Sequence, residues 1–148
     1  MKTKNFTTTI TVSQSPKAVF DAINNVRGWW SGEILGRTDK LGEEFTYRYE
    51  DLHRTTQKIT EFIPGKKVVW HVLKSRISFV KDMAEWNGTE IVFEITKKSK
   101  KTQLRFTHTG LVRSIECYGD CSGAWSYIIK NSLRSLITKG KGQPIGKE

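Results

Sequence analysis

The feature that most constrains the fold is an amphipathic stretch near the C-terminus, residues 118–139. Apolar side chains recur there at steps of three and four, the spacing that gathers them on one face of an α-helix. This face comprises Trp125, Ile128, Ile129, Ser132, Leu133, Leu136 and Ile137. A helix of about 18 residues would be about 27 Å long. It therefore needs a broad apolar surface on which to lie.

The ends of this helix also carry signals. Asp120 or Ser122 is expected to cap its start, because short polar side chains accept hydrogen bonds from the free N–H groups of the first turn. Lys139 suits the negative end of the helix dipole. Gly140 is expected to end the helix, since glycine readily adopts the left-handed conformation found at helix ends.

The residues before the helix are mostly strand-like. Period-two alternation of apolar and polar side chains predicts strands within residues 6–12, 43–50, 55–63, 67–74, 89–97 and 104–109. Pro16 after Ser15 is a helix start signal; it predicts a short helix, followed by a second short helical segment that ends at Trp29 and Trp30. Residues 32–42 are predicted to be a loop, and residues 75–88 are ambiguous between strand and loop.

This order of elements predicts an α+β helix-grip fold. Consecutive strands with short turns favour an antiparallel meander. We expect a curved sheet of about six strands wrapped around the long C-terminal helix, with two short helices after the first strand. The 148 residues should form one domain, residues 1–148, with a core at about 5–139 and a flexible tail at 140–148.

The composition excludes several classes of protein. Apolar residues make up 36% and aromatic residues 11% of the chain, which is too much for a disordered protein. No apolar run approaches the roughly 20 residues of a membrane-spanning helix. The N-terminus lacks the apolar centre of a secretory signal, so we expect a cytoplasmic location.

A formal net charge of +10 permits anionic partners. The densest basic cluster, Lys97, Lys98, Lys100 and Lys101, falls between two predicted strands and is typical of a solvated hairpin turn. Nucleic-acid sites usually add a known module or interleaved aromatic side chains, and neither is evident here. The charge therefore favours solubility, an acidic protein partner remains an alternative, and nucleic acid is disfavoured.

No motif specifies a cofactor or a metal. Cys117 and Cys121 lie four residues apart, where helical geometry makes a disulfide awkward, so we expect reduced thiols. No histidine or second cysteine pair lies near enough in sequence to complete a zinc site. The serine-nucleophile motif G-x-S-x-G and the phosphate-binding P-loop are also absent. The sequence thus predicts no cofactor, and it leaves enzymatic activity open.

Six motifs together carry a resemblance to a known superfamily. They are SPKAVFDAI at 15–23, GWW at 28–30, KITEFIPGKKVVWHV at 58–72, TEIVFEI at 89–95, LRFTHTGL at 104–111 and GAWSYIIKNSLRSLI at 123–137. In this order they resemble the START-like superfamily of polyketide cyclases, dehydrases and lipid-transport proteins, which has the helix-grip fold. The nearest branch is named after the C-terminal domain of the heat-shock-protein-90 ATPase activator homologue. The resemblance implies binding of a small apolar or amphipathic molecule between the sheet and the last helix, and only some branches are enzymes.

Candidate site residues follow from the predicted inward face, since ligand sites are typically apolar hollows with a few polar groups. We expect the space between sheet and helix to be lined by Phe45, Tyr47, Trp70, Val72, Phe93, Phe106, Trp125 and Ile129. Trp29 and Trp30 are expected near its mouth. The alternative is that these side chains simply fill the core.

Among polar residues, period two places His108 on the same face as Phe106. A buried neutral imidazole could orient a ligand carbonyl or act as a base, or it could be a satisfied structural histidine. Glu61 shares a predicted face with Ile59, and a carboxyl group in an apolar hollow would have a raised pKa. Glu85, His71 on the opposite face, and His53 at a turn complete the candidates.

Three functions remain open at this point. The first is non-catalytic binding of a small hydrophobic or amphipathic molecule, oriented by His108, Tyr47 and Glu61. The second is a protein-interaction module of the chaperone-activator kind, with an acidic partner. The third is a small cyclase or lyase that uses His108 as acid and base. Monomer and homodimer are both compatible with the sequence.

Overall fold

The structure, a computed structural model, describes residues 5–30, 32–49, 53–77, 86–111 and 118–143. Its strands are β1 (Phe6–Val12), β2 (Glu33–Gly36), β3 (Glu44–Tyr49), β4 (His53–Ile63), β5 (Lys67–Ile77), β6 (Glu90–Lys98) and β7 (Lys101–Thr109). Its helices are α1 (Pro16–Asn24), a 3-10 turn (Val26–Gly28), α2 (Tyr118–Tyr127), a π-helical segment (Ile128–Leu133) and α3 (Arg134–Lys139). We call the last three together the C-terminal helix. None of the helices in these ranges is long and apolar enough to cross a bilayer.

The strands form one antiparallel sheet in the order β1-β7-β6-β5-β4-β3-β2. We call the face toward α1 and the C-terminal helix the inner face, and the opposite one the outer face. The α+β helix-grip prediction is confirmed, with seven strands rather than about six. The additional strand is β2, in the stretch predicted to be a loop. Its four residues are too short to show a pattern, and their strand conformation comes from pairing with β3.

The first helix forms as its sequence signals predict. The Ser15 hydroxyl accepts a hydrogen bond from the Ala18 N–H at 3.1 Å, and Pro16 occupies the first turn. The helix buries Val19, Phe20 and Ile23, among others, against the sheet.

The C-terminal helix extends over the predicted range but differs within it. It begins at Tyr118, so Asp120 and Ser122 lie inside it and the predicted caps are wrong. Gly140 ends it as predicted, with a φ of 79° and an N–H bonded to the Leu136 carbonyl at 3.0 Å. The π-helical segment was not anticipated. Its wider turn shifts the phase of the helix, so that Ser135 is buried, whereas Leu136 of the predicted apolar face is only partly buried.

Two irregularities in the pairing of β4 with β5 reverse the alternation of side chains, as β-bulges do. At one of them Ile59 pairs with Trp70 but Glu61 pairs with Val69, so Thr60 is the additional residue. Glu61 therefore lies on the outer face, 3.5 Å from the Lys67 ammonium group and 46% exposed. The expectation that Glu61 lies in the apolar hollow is wrong.

Some expectations concern residues that the structure does not describe. Glu85 and Cys117 lie outside the described residues, as do residues 78–85 of the ambiguous segment and residues 144–148 of the predicted tail. Just before residue 144, the Ser135 hydroxyl donates to the Lys141 carbonyl at 2.6 Å. The chain after the helix thus packs back against it as far as residue 143.

Two glycines allow a steric effect to be separated from backbone strain. Gly32 and Gly42 have left-handed φ values of 82° and 84°, so alanine should cost about 1–2 kcal/mol at either. A Cβ on Gly32 would overlap the carbonyl oxygen of Arg48, whereas a Cβ on Gly42 meets no atom within 4 Å in the described part of the chain. G32A should therefore lower the urea unfolding free energy more than G42A. Equal losses would show that the β2–β3 backbone moves apart easily.

Candidate functional site

The side chains predicted to line a site do come together. All of them are buried, and ten belong to one hydrophobic cluster: Trp29, Trp30, Phe45, Tyr47, Trp70, Val72, Phe93, Phe106, Trp125 and Ile129. His108, the remaining member, is also fully buried. Whether these side chains bind a ligand stays a prediction.

Three tryptophans form the centre of this interior. The rings of Trp29, Trp30 and Trp70 are nearly parallel, with centroids 5.8–6.2 Å apart. Trp30 also stacks on Tyr47, with centroids 3.8 Å apart. Trp29 and Trp30 were expected near a mouth, but both are almost fully buried.

The position of Trp29 has a clear physical cause. Its indole N–H donates to the Ile23 carbonyl of α1 at 3.1 Å, and its own carbonyl accepts a hydrogen bond from the Ser132 hydroxyl at 2.6 Å. The Ser132 oxygen in turn accepts from the Gln143 N–H at 2.9 Å. Trp29 is thus held inward by α1 and by the π-helical segment.

Trp70 carries a buried polar atom with no partner. Its ring is fully buried, with the edges of Phe45 and Phe93 packed against it at centroid distances of 4.9 Å. The Trp70 Nε1–H makes no hydrogen bond. An unsatisfied buried donor costs about 1–3 kcal/mol, so this N–H is the polar group of the interior best placed to gain from a new acceptor.

His108 lies in a chain of hydrogen bonds that fixes its tautomer. The Trp125 Nε1–H donates to His108 Nδ1 at 3.1 Å. Because an indole N–H only donates, Nδ1 is the acceptor and the neutral ring carries its proton on Nε2. His108 Nε2 then donates to the Thr89 hydroxyl at 2.9 Å, which donates to the Trp86 carbonyl at 2.7 Å.

This network favours the structural alternative for His108. Burial, and to a smaller extent the nearby His53, lowers the pKa of His108 to about 3. Both ring nitrogens are occupied, so an exchange of protons with a ligand would require breaking a buried hydrogen bond. The geometry does not support His108 as an acid or a base.

His53 and Trp86 are interior residues that the sequence analysis missed. His53 was expected at a turn, but it begins β4, and its ring packs edge-on against Trp86 and Tyr47 at centroid distances of 4.5 and 5.4 Å. Extending the alternation of Gln57 and Thr55 by two residues would have found it. Trp86 packs on the rings of His53 and His108 from within the ambiguous segment, where no periodic signal was available.

His53 also contributes a buried atom without a partner. Its Nε2 makes no hydrogen bond, and burial lowers the pKa of the ring to about 4. Buried Gln57 is satisfied when its amide nitrogen donates to the Phe45 and Thr55 carbonyls, each at 3.1 Å. The interior is therefore amphipathic, since imidazoles, hydroxyls and an amide lie among its aromatic rings.

A concavity open to solvent lies elsewhere, between the end of α1 and the connection from β2 to β3. It has a volume of about 800 Å³ and opens widely to solvent, and Arg27, Arg37 and Asp39 are among its lining residues. Arg27 donates to the Gly36 carbonyl at 2.7 Å, and Arg37 pairs with Asp39 at 2.7 Å. Its charges are satisfied within the chain, so it is the weaker candidate. Across the described residues, no three potential metal ligands cluster.

Acid should destabilise the fold through His53 and His108. In the unfolded chain each ring has an ordinary pKa of 6.5, whereas burial lowers the folded values to about 4 and about 3. Below pH 6.5 the unfolded state therefore binds more protons. The unfolding free energy should be highest above that pH and fall as the pH drops toward 4, by up to about 1.4 kcal/mol per pH unit for each ring.

His108→Gln should reduce this slope by the equivalent of about one proton, because it removes one of the two buried rings that take up a proton on unfolding. The glutamine amide can still accept from Trp125 and donate to Thr89, so the variant should keep the buried network. H71Q is the matched control, because His71 is a partly exposed histidine near Glu90 on the outer face. Urea unfolding between about pH 7 and pH 5 measures the slope. An H108Q protein with the wild-type slope would show that His108 is protonated without unfolding.

Comparisons with known proteins agree with the fold. A family model described as "Activator of Hsp90 ATPase homolog 1-like protein" matches residues 13–138. The solution structure of the Aha1 dimer from Colwellia psychrerythraea is similar, with a TM-score of 0.75 and 26% identity, covering 94% of this chain and 99% of that chain. A search of curated proteins found no significant match.

Two further solved structures share the fold at lower identity. A crystal structure of a protein from Staphylococcus saprophyticus has a TM-score of 0.69 and 15% identity, covering 95% of this chain and 96% of that chain. The crystal structure of CalU16 from Micromonospora echinospora has a TM-score of 0.62 and 12% identity, covering 90% and 76%. Since the family model spans most of the sequence, the chain belongs to the activator of Hsp90 ATPase homolog 1-like family, a branch of the START-like superfamily.

Proposed function

We propose that this protein binds one small amphipathic molecule, without altering it chemically, between the inner face of the sheet and the C-terminal helix. The observation that carries this proposal is the indole N–H of Trp70, which is fully buried and unpaired at the centre of an aromatic interior. A ligand oxygen beside this nitrogen would satisfy it.

The surroundings of Trp70 suggest the shape of the ligand. Trp29 and Trp30 lie nearly parallel to it, which suits a flat apolar body packed beside the rings. Burying about 200 Å² of apolar ligand surface would contribute about 5 kcal/mol. The half-buried His53 and the buried Thr89, which both contact Trp86, suit a hydroxyl or carbonyl group at the far end of such a molecule.

The C-terminal helix supports the same proposal. Its π-helical segment buries Ile128, Ile129 and Ser132 over Trp29. π-helical turns are rare within α-helices, and those that occur lie frequently at functional sites. Binding without catalysis is supported by His108, whose two nitrogens are already bonded.

A second candidate function is protein association. The Colwellia relative is a dimer, and the family is described by its likeness to a chaperone ATPase activator. The exposed Leu35, 58% accessible on the edge strand β2, is a feature that such an interface could use.

Native mass spectrometry tests the first candidate. Protein purified gently from its own host should carry a discrete additional mass, and organic extraction should remove it. The extracted protein should then take up 1-anilinonaphthalene-8-sulfonate with quenching of tryptophan fluorescence. A bare protein that leaves this probe unbound would refute the proposal, and a bare homodimer would favour association.

Trp70→Phe and Trp29→Phe form a matched pair. Each shortens one central ring by the same amount, but W70F removes an unpaired donor, whereas W29F leaves the Ile23 carbonyl without its partner. W29F should therefore lose about 1–3 kcal/mol more unfolding free energy than W70F. Urea unfolding of the extracted proteins measures this difference.

Ligand affinity should respond to W70F as well. Loss of one hydrogen bond, about 0.5–1.5 kcal/mol, should weaken binding of the extracted molecule by roughly 2- to 12-fold. Isothermal titration against wild type measures the change. Undiminished affinity in W70F would mean that the Trp70 N–H does not contact the ligand.

A further inference from the structure

The outer face of the sheet carries three arginines in a row. Arg48 on β3 lies directly opposite Arg54 on β4, and Arg54 lies directly opposite Arg76 on β5. All three are exposed. Opposed residues in an antiparallel sheet share a face, with their Cβ atoms about 5 Å apart, so this arginine row spans about 10 Å across three strands.

Most other charged pairs on this face are of unlike sign. Glu94 lies opposite both Lys67 and Arg105, Glu44 lies opposite Lys58, and Glu33 lies opposite Arg48 at one end of the row. In the described strands, the other like-charge pair is Lys98 with Lys101 at the far hairpin. Like charges directly opposite one another destabilise a sheet. In the described part of the chain, no carboxylate forms an ion pair with Arg54 or Arg76. Sheet stability therefore does not account for the row.

A β-bulge is what places Arg76 in the row. Thr56 pairs with Lys74 but Gln57 pairs with Val72, so Leu73 is the additional residue. Without it, the alternation that turns Val72 inward would turn Arg76 inward as well. Bulges characteristically redirect side chains in this way.

The surroundings of the row combine apolar and basic side chains. The bulge leaves Leu73 41% exposed beside the basic side chain of Lys74. On the other side of the row, Leu35 of β2 lies opposite Thr46, which precedes Arg48 by two residues on β3. No exposed aromatic ring lies on the described part of the outer face, since the exposed Tyr127 belongs to the C-terminal helix.

We propose that the arginine row, with Lys74 and the two exposed leucines, binds an acidic segment of another protein in which carboxylates alternate with apolar side chains. Guanidinium groups pair with carboxylates through two parallel hydrogen bonds, and a fixed row of them selects a matching row of acids. Leu35 and Leu73 accommodate the apolar side chains of the segment. Single-stranded nucleic acid fits less well, because it requires aromatic platforms for base stacking.

The test uses a short fluorescein-labelled peptide in which glutamates alternate with leucines, added to the full chain and followed by anisotropy at physiological ionic strength. Arg54→Glu should weaken binding at least tenfold. K98E is the matched control: Lys98 lies directly opposite Lys101 at the far hairpin, so both variants relieve a like-charge pair and change the net charge equally. K98E should weaken binding less than about twofold, because charges beyond about 8 Å are screened at this ionic strength.

Urea unfolding separates a binding role of Arg54 from a structural one. If Arg54 served only to stabilise the sheet, R54E would lower the unfolding midpoint. R54E should raise the unfolding midpoint, since it makes the signs alternate along the row, while it lowers peptide affinity. Equal loss of affinity in R54E and K98E would overturn the proposal in favour of net charge alone, and so would failure of the wild type to bind the peptide. Tighter binding of an oligothymidine, or of vesicles rich in phosphatidylserine, than of the peptide would overturn the assignment to an acidic protein segment.

Discussion

The arrangement of the whole molecule depends on how the Trp29 residue is held. Its side chain donates to α1 through the Ile23 carbonyl, its carbonyl accepts from Ser132 of the C-terminal helix, and its ring stacks near Trp70 of the sheet. These hydrogen bonds are buried, where the loss of a partner is expensive. A single residue thus links α1, the C-terminal helix and the sheet.

Much of the architecture could be predicted because it follows from periodicity. Alternation identified the inward side chains of the regular strands, including Phe45, Phe93 and Phe106, and the three-four spacing identified the C-terminal helix. Gly140 ended that helix for a reason local to its own backbone. The family resemblance is also confirmed, because the motifs that carry it follow one another in order along the chain.

The rest depends on pairing that no local pattern contains. Strand β2 exists because β3 lies beside it, and Glu61 changes face because the bulge at Thr60 shifts the phase of β4. Trp29 was expected near the mouth of the site. Its inward position could not be predicted, because it depends on a hydrogen bond from distant Ser132. For the candidate site, the burial of its side chains could therefore be predicted, while the tautomer of His108 and the unpaired nitrogen of Trp70 required the fold.

The near-parallel indoles have an optical consequence. Transition dipoles of Trp29, Trp30 and Trp70 lie within 6.2 Å of one another, so they should couple as excitons and share absorbed energy. Near-ultraviolet circular dichroism of this chain should then report the relative angles of the rings rather than the sum of separate chromophores. This spectrum should therefore respond to rotations of the three rings that are too small to alter the backbone.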